Sequence, residues 1–233
     1  MNNSSNVTEH RLSRPVLALV FSTLVGIALV CIRFLATGRE QLHLVWNLFL
    51  AWLPLIFALN VQRQLRAASP RRWKIFCAAS AWLIFFPNAP YICTDLVHLT
   101  PPRAGNFWID LVLILLFAMN GLMLGFVSLY LMQDVVTRKR GAVAGWSFAA
   151  LVIGLSALGV YIGRFLRWNS WDLLTNPLNV FQHLFEWSAN RPTLEHLVMF
   201  TALFGTFLFL AHVMLYALTH LHPGTTNESV RDR

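Results

Sequence analysis

The chain reads as an all-α polytopic membrane protein, a helix bundle of about six transmembrane helices, and three observations predict that class. Hydrophobic residues make up 57% of the 233 positions and charged residues only 12%, against roughly 45–50% and about 25% in a soluble domain. The apolar residues collect in runs near the roughly 20 residues that a helix needs to cross a hydrocarbon core of about 30 Å. The stretches between the runs are too short to hold a soluble domain. A disordered chain, a disulfide scaffold and a coiled coil are excluded. A soluble enzyme could not cover its surface with so few charges.

The first span, Pro15 to Ala36, follows a tail of residues 1–14. Its apolar stretch is long for a signal peptide and no small-x-small cleavage site follows, so it is expected to be retained. The second span is Leu42 to Val61. The fourth and fifth, Phe107 to Gln133 and Gly141 to Gly163, carry Gly121-x-x-x-Gly125, Gly141-x-x-x-Gly145 and Gly159-x-x-x-Gly163. Lipid supplies no hydrophobic drive for helix association, so small residues at these spacings predict close packing of the fourth helix on the fifth. The sixth span is Leu197 to Thr219, and residues 220–233 form a second tail. Between the fifth and sixth, Leu173 to His196 mixes Phe181, Phe185 and Trp187 with His183, Glu186 and Glu195, the pattern of an interfacial amphipathic helix.

The third span, Ile75 to Cys93, breaks the rules that the others keep. Its clean run ends at Phe86, after about 18 Å of helix, and meets Pro87-Asn88-Ala89-Pro90-Tyr91. Each proline lacks an N–H and clashes with the carbonyl four residues earlier, so the helix should kink or end there. Freed carbonyls near Leu83 and Phe86, with the Asn88 amide, are expected to form a polar spot. Broken backbone at membrane depth is tolerated only inside protein or beside a water-filled cavity.

Lys and Arg set the orientation. Twelve fall in the tails and in the loops around residues 62–74 and 134–140, and six on the other side. Both termini are therefore expected in the cytoplasm. The outer side balances six cations with six acids, so the whole formal charge of +8 lies on the inner side and reports orientation, not a nucleic-acid partner. Trp46, Trp108, Trp168, Trp171 and Trp187 near the outer interface, with Trp73 and Trp146 near the inner, match an aromatic belt. The three cysteines, Cys31, Cys77 and Cys93, lie in apolar segments and read as buried thiols.

The polar residues of the outer third are the candidate site. Asp95 and His98 are three apart and share a face of a helical turn, where a carboxylate and an imidazole can do acid–base work or, on a weaker signal, hold a metal. Asp110 sits at a helix N-terminus, which the dipole favours. Arg164 and Arg167 close the fifth span on the side that usually avoids cations, and an arginine fork fits phosphate or carboxylate. Asn47, Asn88, Tyr161, Asn169 and Asp172 reach the same depth. Ionisable groups converging at one membrane depth are a functional-site hypothesis. In it Arg164 and Arg167 hold an anion, and Asp95, His98 and Asp172 are the catalytic or metal-binding candidates. Deeper in, Asn120 is expected to bond across to another helix and His212 to make a helix–helix bond.

Several of these stretches resemble one family. They are Trp46-Asn47-Leu48-Phe49-Leu50-Ala51-Trp52-Leu53-Pro54, Phe86-Pro87-Asn88-Ala89-Pro90-Tyr91-Ile92 with Thr94-Asp95-Leu96-Val97-His98-Leu99, Asp110 with the run to Asn120-Gly121, and Gly163-Arg164-Phe165-Leu166-Arg167-Trp168-Asn169-Ser170-Trp171-Asp172. They look like the uncharacterised bacterial membrane family catalogued as domain of unknown function thirteen-sixty-one, over most of the chain. The resemblance implies a bacterial multi-pass inner-membrane protein and supplies no activity.

The leading expectation is a periplasm-facing site for a lipid-type or phosphate-bearing ligand, in a protein whose partners are the bilayer, that anionic ligand and a further membrane protein. A small transporter or channel lined by the broken third span is the first alternative. A structural or accessory subunit that docks through the outer motifs is the second. No P-loop, Rossmann, zincin or nucleophile-elbow pattern is present, and the sequence names no cofactor.

Overall fold

The computed structural model describes residues 3–38, 41–99, 107–166, 175, 178 and 191–220. Its elements are α1 (Asn3–Thr37), α2 (Leu42–Arg66), α3 (Arg72–Phe85), α4 (Asn88–Tyr91), a 3-10 turn over Ile92–His98, α5 (Phe107–Arg140), α6 (Ala142–Tyr161), a π turn over Ile162–Leu166, and α7 (Arg191–Thr219). The described residues contain no strand. Six helical stretches are long and apolar enough to cross a membrane, with α3, α4 and the 3-10 turn counting as one of them. The chain is thus an all-α, multi-pass membrane helix bundle whose third helix is broken at Pro-Asn-Ala-Pro.

The long α5 is the axis of the bundle. Of its most apolar stretch 56% is buried, against 17% for α1 and 11% for α7. Around it lie α2, the broken third span and α6, whose buried Leu48, Leu55, Trp82, Val152 and Ile153 join Phe117, Leu124 and Leu129 of α5 in one continuous core. The outer helices turn large apolar side chains outward, among them Phe21, Leu24, Leu35, Leu203 and Met214, as a lipid-facing surface requires.

Local chemistry ends the helices where the sequence changes character. Gly38 takes φ +66° after α1 and donates its N–H to the Phe34 carbonyl at 2.7 Å, a glycine C-terminal cap. Gly141, at φ +90°, makes the turn between α5 and α6 and donates to the Thr137 carbonyl at 2.8 Å. A side chain at either glycine would be strained. At the far end of the polar stretch after the fifth span, α7 begins at Arg191, so residues 191–196 extend the sixth helix. Of the rest of that stretch only 175 and 178 are described.

The break in the third span is helical in outline but satisfies itself differently from the expected polar spot. The Ala89 N–H takes the Phe86 carbonyl at 3.1 Å, and the Asn88 side chain donates to the Phe85 carbonyl at 3.0 Å. The Phe86 carbonyl, which Pro90 sets free, is thus used within the turn itself. The small residues then let the break dock. A Cβ on Gly121 would stand 2.5 Å from the Ala89 carbonyl oxygen and 2.9 Å from Ile92 Cδ1, one on Gly125 2.9 Å from Ala89 Cβ, and one on Gly159 2.8 Å from Pro87 Cγ. The glycine pair of α5 therefore receives α4, where the spacing predicted α6. α5 and α6 do pack together, and Gly145 is the glycine that faces α5, against Thr137.

Further expectations resolve in the core. His212 Nε2 lies 2.7 Å from Gln133 Oε1, the helix–helix bond that its depth predicts, linking α7 to α5. Asn120 instead donates back along its own helix to the Leu116 carbonyl at 3.0 Å. In apolar surroundings the carbonyl one turn earlier is the nearest acceptor. Trp146, expected at the interface, packs against Phe209, His212 and Tyr216 of α7. All three cysteines are free thiols, but Cys31 and Cys77 face outward from the bundle and Cys93 is half-buried. An apolar helix face turned toward lipid holds a thiol as readily as the core does.

Candidate functional site

The end of the bundle where α1 hands over to α2 gathers two arginine–aspartate pairs. The first joins α1 to α5. Arg33 donates from Nε and Nη2 to Asp110 Oδ1 at 3.1 and 2.9 Å, and Gln41 Nε2 adds a third donor at 3.2 Å. Both charged side chains are 7% exposed or less. Asp110 lies in the first turn of α5 and Arg33 in the last turns of α1, so each charge also suits the dipole of its helix.

The second pair is built by the break. After Pro90 the chain tightens into a 3-10 turn, in which side chains three apart lie over one another. Tyr91 and Thr94 therefore share one column, Asp95 and His98 the next, and the four form one broad stripe. Arg164, in the π turn that extends α6, lies along it. Its Nε and Nη2 donate to Thr94 Oγ1 at 2.9 and 2.7 Å, and Nη2 also reaches Asp95 Oδ1 at 2.6 Å. Nη1 stands 3.0 Å from His98 Nε2. The guanidinium carbon lies 4.7 Å from the centre of the Tyr91 ring, a cation–π contact. Asn47, one turn into α2, donates to the other oxygen of Asp95 at 2.9 Å. One turn before it His43 sets its ring 5.8 Å from that of His98, edge to face.

This cluster runs from buried to open. The Asp95 side chain is 2% exposed and that of Arg164 14%, while His43 and His98 lie at the surface. Thr94 Oγ1 gives its own proton to the Tyr91 carbonyl at 2.6 Å, so its lone pairs face Arg164. Because an arginine only donates, His98 Nε2 must accept, which places the imidazole proton on Nδ1. Nη1 carries a second N–H for which no described residue is the acceptor.

Of the residues singled out by sequence, the structure thus brings together Asn47, Asp95, His98 and Arg164. Asn88 lies in the break itself and bonds to Phe85. Asp110 is held by Arg33 and Gln41. Tyr161 is buried against α7, with its hydroxyl 3.2 Å from His196 Nδ1 and its ring on Phe165 and Phe200. Arg167, Asn169 and Asp172 lie outside the described residues. Among the described residues no group of three His, Cys, Asp or Glu side chains is placed to hold a metal. The oxygens of Asp95 are engaged by Arg164 and Asn47.

Sequence reasoning missed Tyr91, Thr94, His43 and the role of Arg33. Tyr91 precedes Asp95 by four residues, Thr94 precedes His98 by four, and His43 precedes Asn47 by four, so helical spacing around the named polar residues was the usable signal. Nothing in the sequence pairs Arg33 with Asp110, 77 residues away.

No curated protein and no solved structure matches the chain significantly. One family model does, over residues 46–211, which spans most of the second helix, the broken third, Arg164 and most of α7. The chain belongs to that family, described as Protein of unknown function (DUF1361).

Proposed function

We propose that this integral membrane protein binds a lipid-type or phosphate-bearing anionic ligand at the Arg164 cluster, on the periplasmic side of a bacterial inner membrane. One observation carries the reading. Arg164 is anchored on one flank by Thr94 and Asp95, while its Nη1 reaches the rim, where the exposed His98 stands 3.0 Å from it and His43 packs on His98. A cation held rigidly with one donor edge outward is pre-organised for an oxyanion. Apolar surface flanks the rim, with Val97 71% exposed beside His98 and Trp46 and Phe49 exposed on α2. Acyl chains would lie there while a headgroup sits on Arg164. Arg167, from the same motif, is the further cation proposed for the anion.

The orientation rests on the distribution of Lys and Arg, which favours both termini in the cytoplasm. That puts the Arg164 rim outside. A periplasm-active reporter fused to the C-terminus should be silent and a cytoplasm-active one bright; the reverse overturns the placement.

Ligand binding is tested with purified protein in phosphatidylcholine nanodiscs that contain a minority of phosphatidylglycerol. Native mass spectrometry should show retention of the anionic lipid, lost in Arg164→Gln but kept when the exposed Arg138 at the other end is changed to Gln. Equal retention by both variants would assign the lipid to the general surface charge and sink the site. A parallel comparison of membrane lipids in a strain lacking the protein names the headgroup class.

A further inference from the structure

The bond between Arg164 and His98 is of an unusual kind, because it puts an imidazole where an anion would go. Arg164 Nη1 donates and His98 Nε2 accepts at 3.0 Å. Only a neutral imidazole has a ring nitrogen able to accept; once protonated, both nitrogens are donors. We infer that His98 is a displaceable cap on the anion site, and that protonation removes the cap and recruits the ligand. The inference rests on the reading of this rim as an anion site and adds its regulation.

Geometry gives the device its two states. In the neutral state His98 occupies the outward edge of Arg164, and an incoming oxyanion must displace it. When a proton from solvent is taken up at Nε2, the bond is lost and two cations face each other at contact distance. Their repulsion turns His98 outward on an exposed turn, and the freed Nη1 edge and the imidazolium then present donors to the same oxyanion. The described titratable and charged groups around His98 are Asp95 and Tyr91 on its own stretch, Arg164 on the π turn and His43 on α2. Asp95 is already engaged by Arg164 and Asn47. His43, edge to face with His98, adds a second group that gains charge on acidification. Histidine is the side chain whose ordinary charge change falls between about pH 5 and pH 8, so the cap predicts that an anion of constant charge binds more tightly as pH falls through that range.

The test uses the full chain in phosphatidylcholine nanodiscs, with inorganic sulfate as one probe and phosphatidylglycerol doped into the disc as the other, because neither changes its own charge over the range in which histidine does. Binding of the effective probe should tighten at least about tenfold from about pH 8 to about pH 5, the scale of one charge-assisted hydrogen bond. If only phosphatidylglycerol responds, the ligand is a lipid headgroup; if sulfate responds as well, the site takes the free anion. His98→Gln keeps a neutral acceptor at every pH, so its binding should stay weak and lose most of the slope. His98→Ala removes the cap, so its binding at about pH 8 should exceed that of the unmodified protein. A slope that survives unchanged in both variants overturns the role of His98.

Nitrogen-15 spectra of labelled arginine and histidine read the cap without any ligand. The Arg164 side-chain signals should move with the titration of His98, and stay still over the same pH range in His98→Gln. Arg164 signals that ignore the titration overturn the cap even if anions bind. If the signals move as expected while neither probe binds at any pH, the anion-site reading fails and the gating role falls with it. Tight binding without a pH slope overturns the cap and leaves the site standing.

Discussion

Two arginine–aspartate pairs stand at the same end of this bundle and do different things with the same chemistry. Arg33 and Asp110 are closed off, each 7% exposed or less, and tie the first helix to the central one. Arg164 and Asp95 share a buried carboxylate and a strong bond, but Arg164 keeps an edge at the surface and an imidazole against it. Taking two charges out of water is costly, and a buried pair does little better than an apolar replacement of the same shape. A sealed pair therefore specifies which helices meet. A pair with one open edge keeps a charge aimed at whatever arrives, with the carboxylate behind it holding the aim.

The contrast can be broken most forcefully at the sealed pair. Asp110→Ala leaves Arg33 buried without its carboxylate and should cost about 3–5 kcal/mol of stability, read as a large fall in the unfolding temperature of the detergent-solubilised protein. Arg33→Met with Asp110→Leu, which removes both charges, should recover most of it. No recovery would mean that the pair does more than join α1 to α5.

At the open pair the second handle is Asn47. Asn47→Ala deletes a bond to a buried carboxylate and should cost about 1.5–3 kcal/mol while loosening Arg164, so stability and anionic-lipid retention should fall together. A fall in stability alone would separate the two. Gly121→Ala probes the groove that places the whole stripe. The added methyl meets the Ala89 carbonyl oxygen at 2.5 Å, and overpacking of this kind costs about 1–3 kcal/mol. Because the conflict is with backbone, the 3-10 turn should shift and the Arg164 signals with it. Smallest of all, His98→Gln on the exposed rim should change stability by less than about 0.5 kcal/mol. A large loss there would make His98 part of the fold and not of the rim.

How much of this was legible beforehand differs residue by residue. Asn47, Asp95, His98 and Arg164 could be named because each is a polar group at a computable depth in an apolar run, and the rise of a helix converts position into depth. The partners of Asp110 and Tyr161 could not. Both lie at the same depth as the cluster, but Asp110 turns to Arg33 and Tyr161 to His196. Depth is a coordinate along the helix; the direction around it decides the neighbour. In a soluble helix the apolar stripe reveals that direction, but in lipid the outward face is as apolar as the inward one, so the stripe disappears. The glycines illustrate the same gap. Gly121 and Gly125 announced a close approach, and the occupant of their groove proved to be Ala89 of the broken span.

By itself, then, the sequence determined the features that composition and length set along one axis: an all-α membrane bundle with six crossings, a proline break in the third, and a band of polar groups at one depth. Tertiary structure alone decided which members of that band meet. Hydrophobic transfer and proline sterics act locally and are written residue by residue. The pairing of Arg164 with Asp95 and of Arg33 with Asp110 depends on how six nearly featureless apolar cylinders rotate against one another, and that is settled by glycine-sized gaps and buried charges acting together across the bundle.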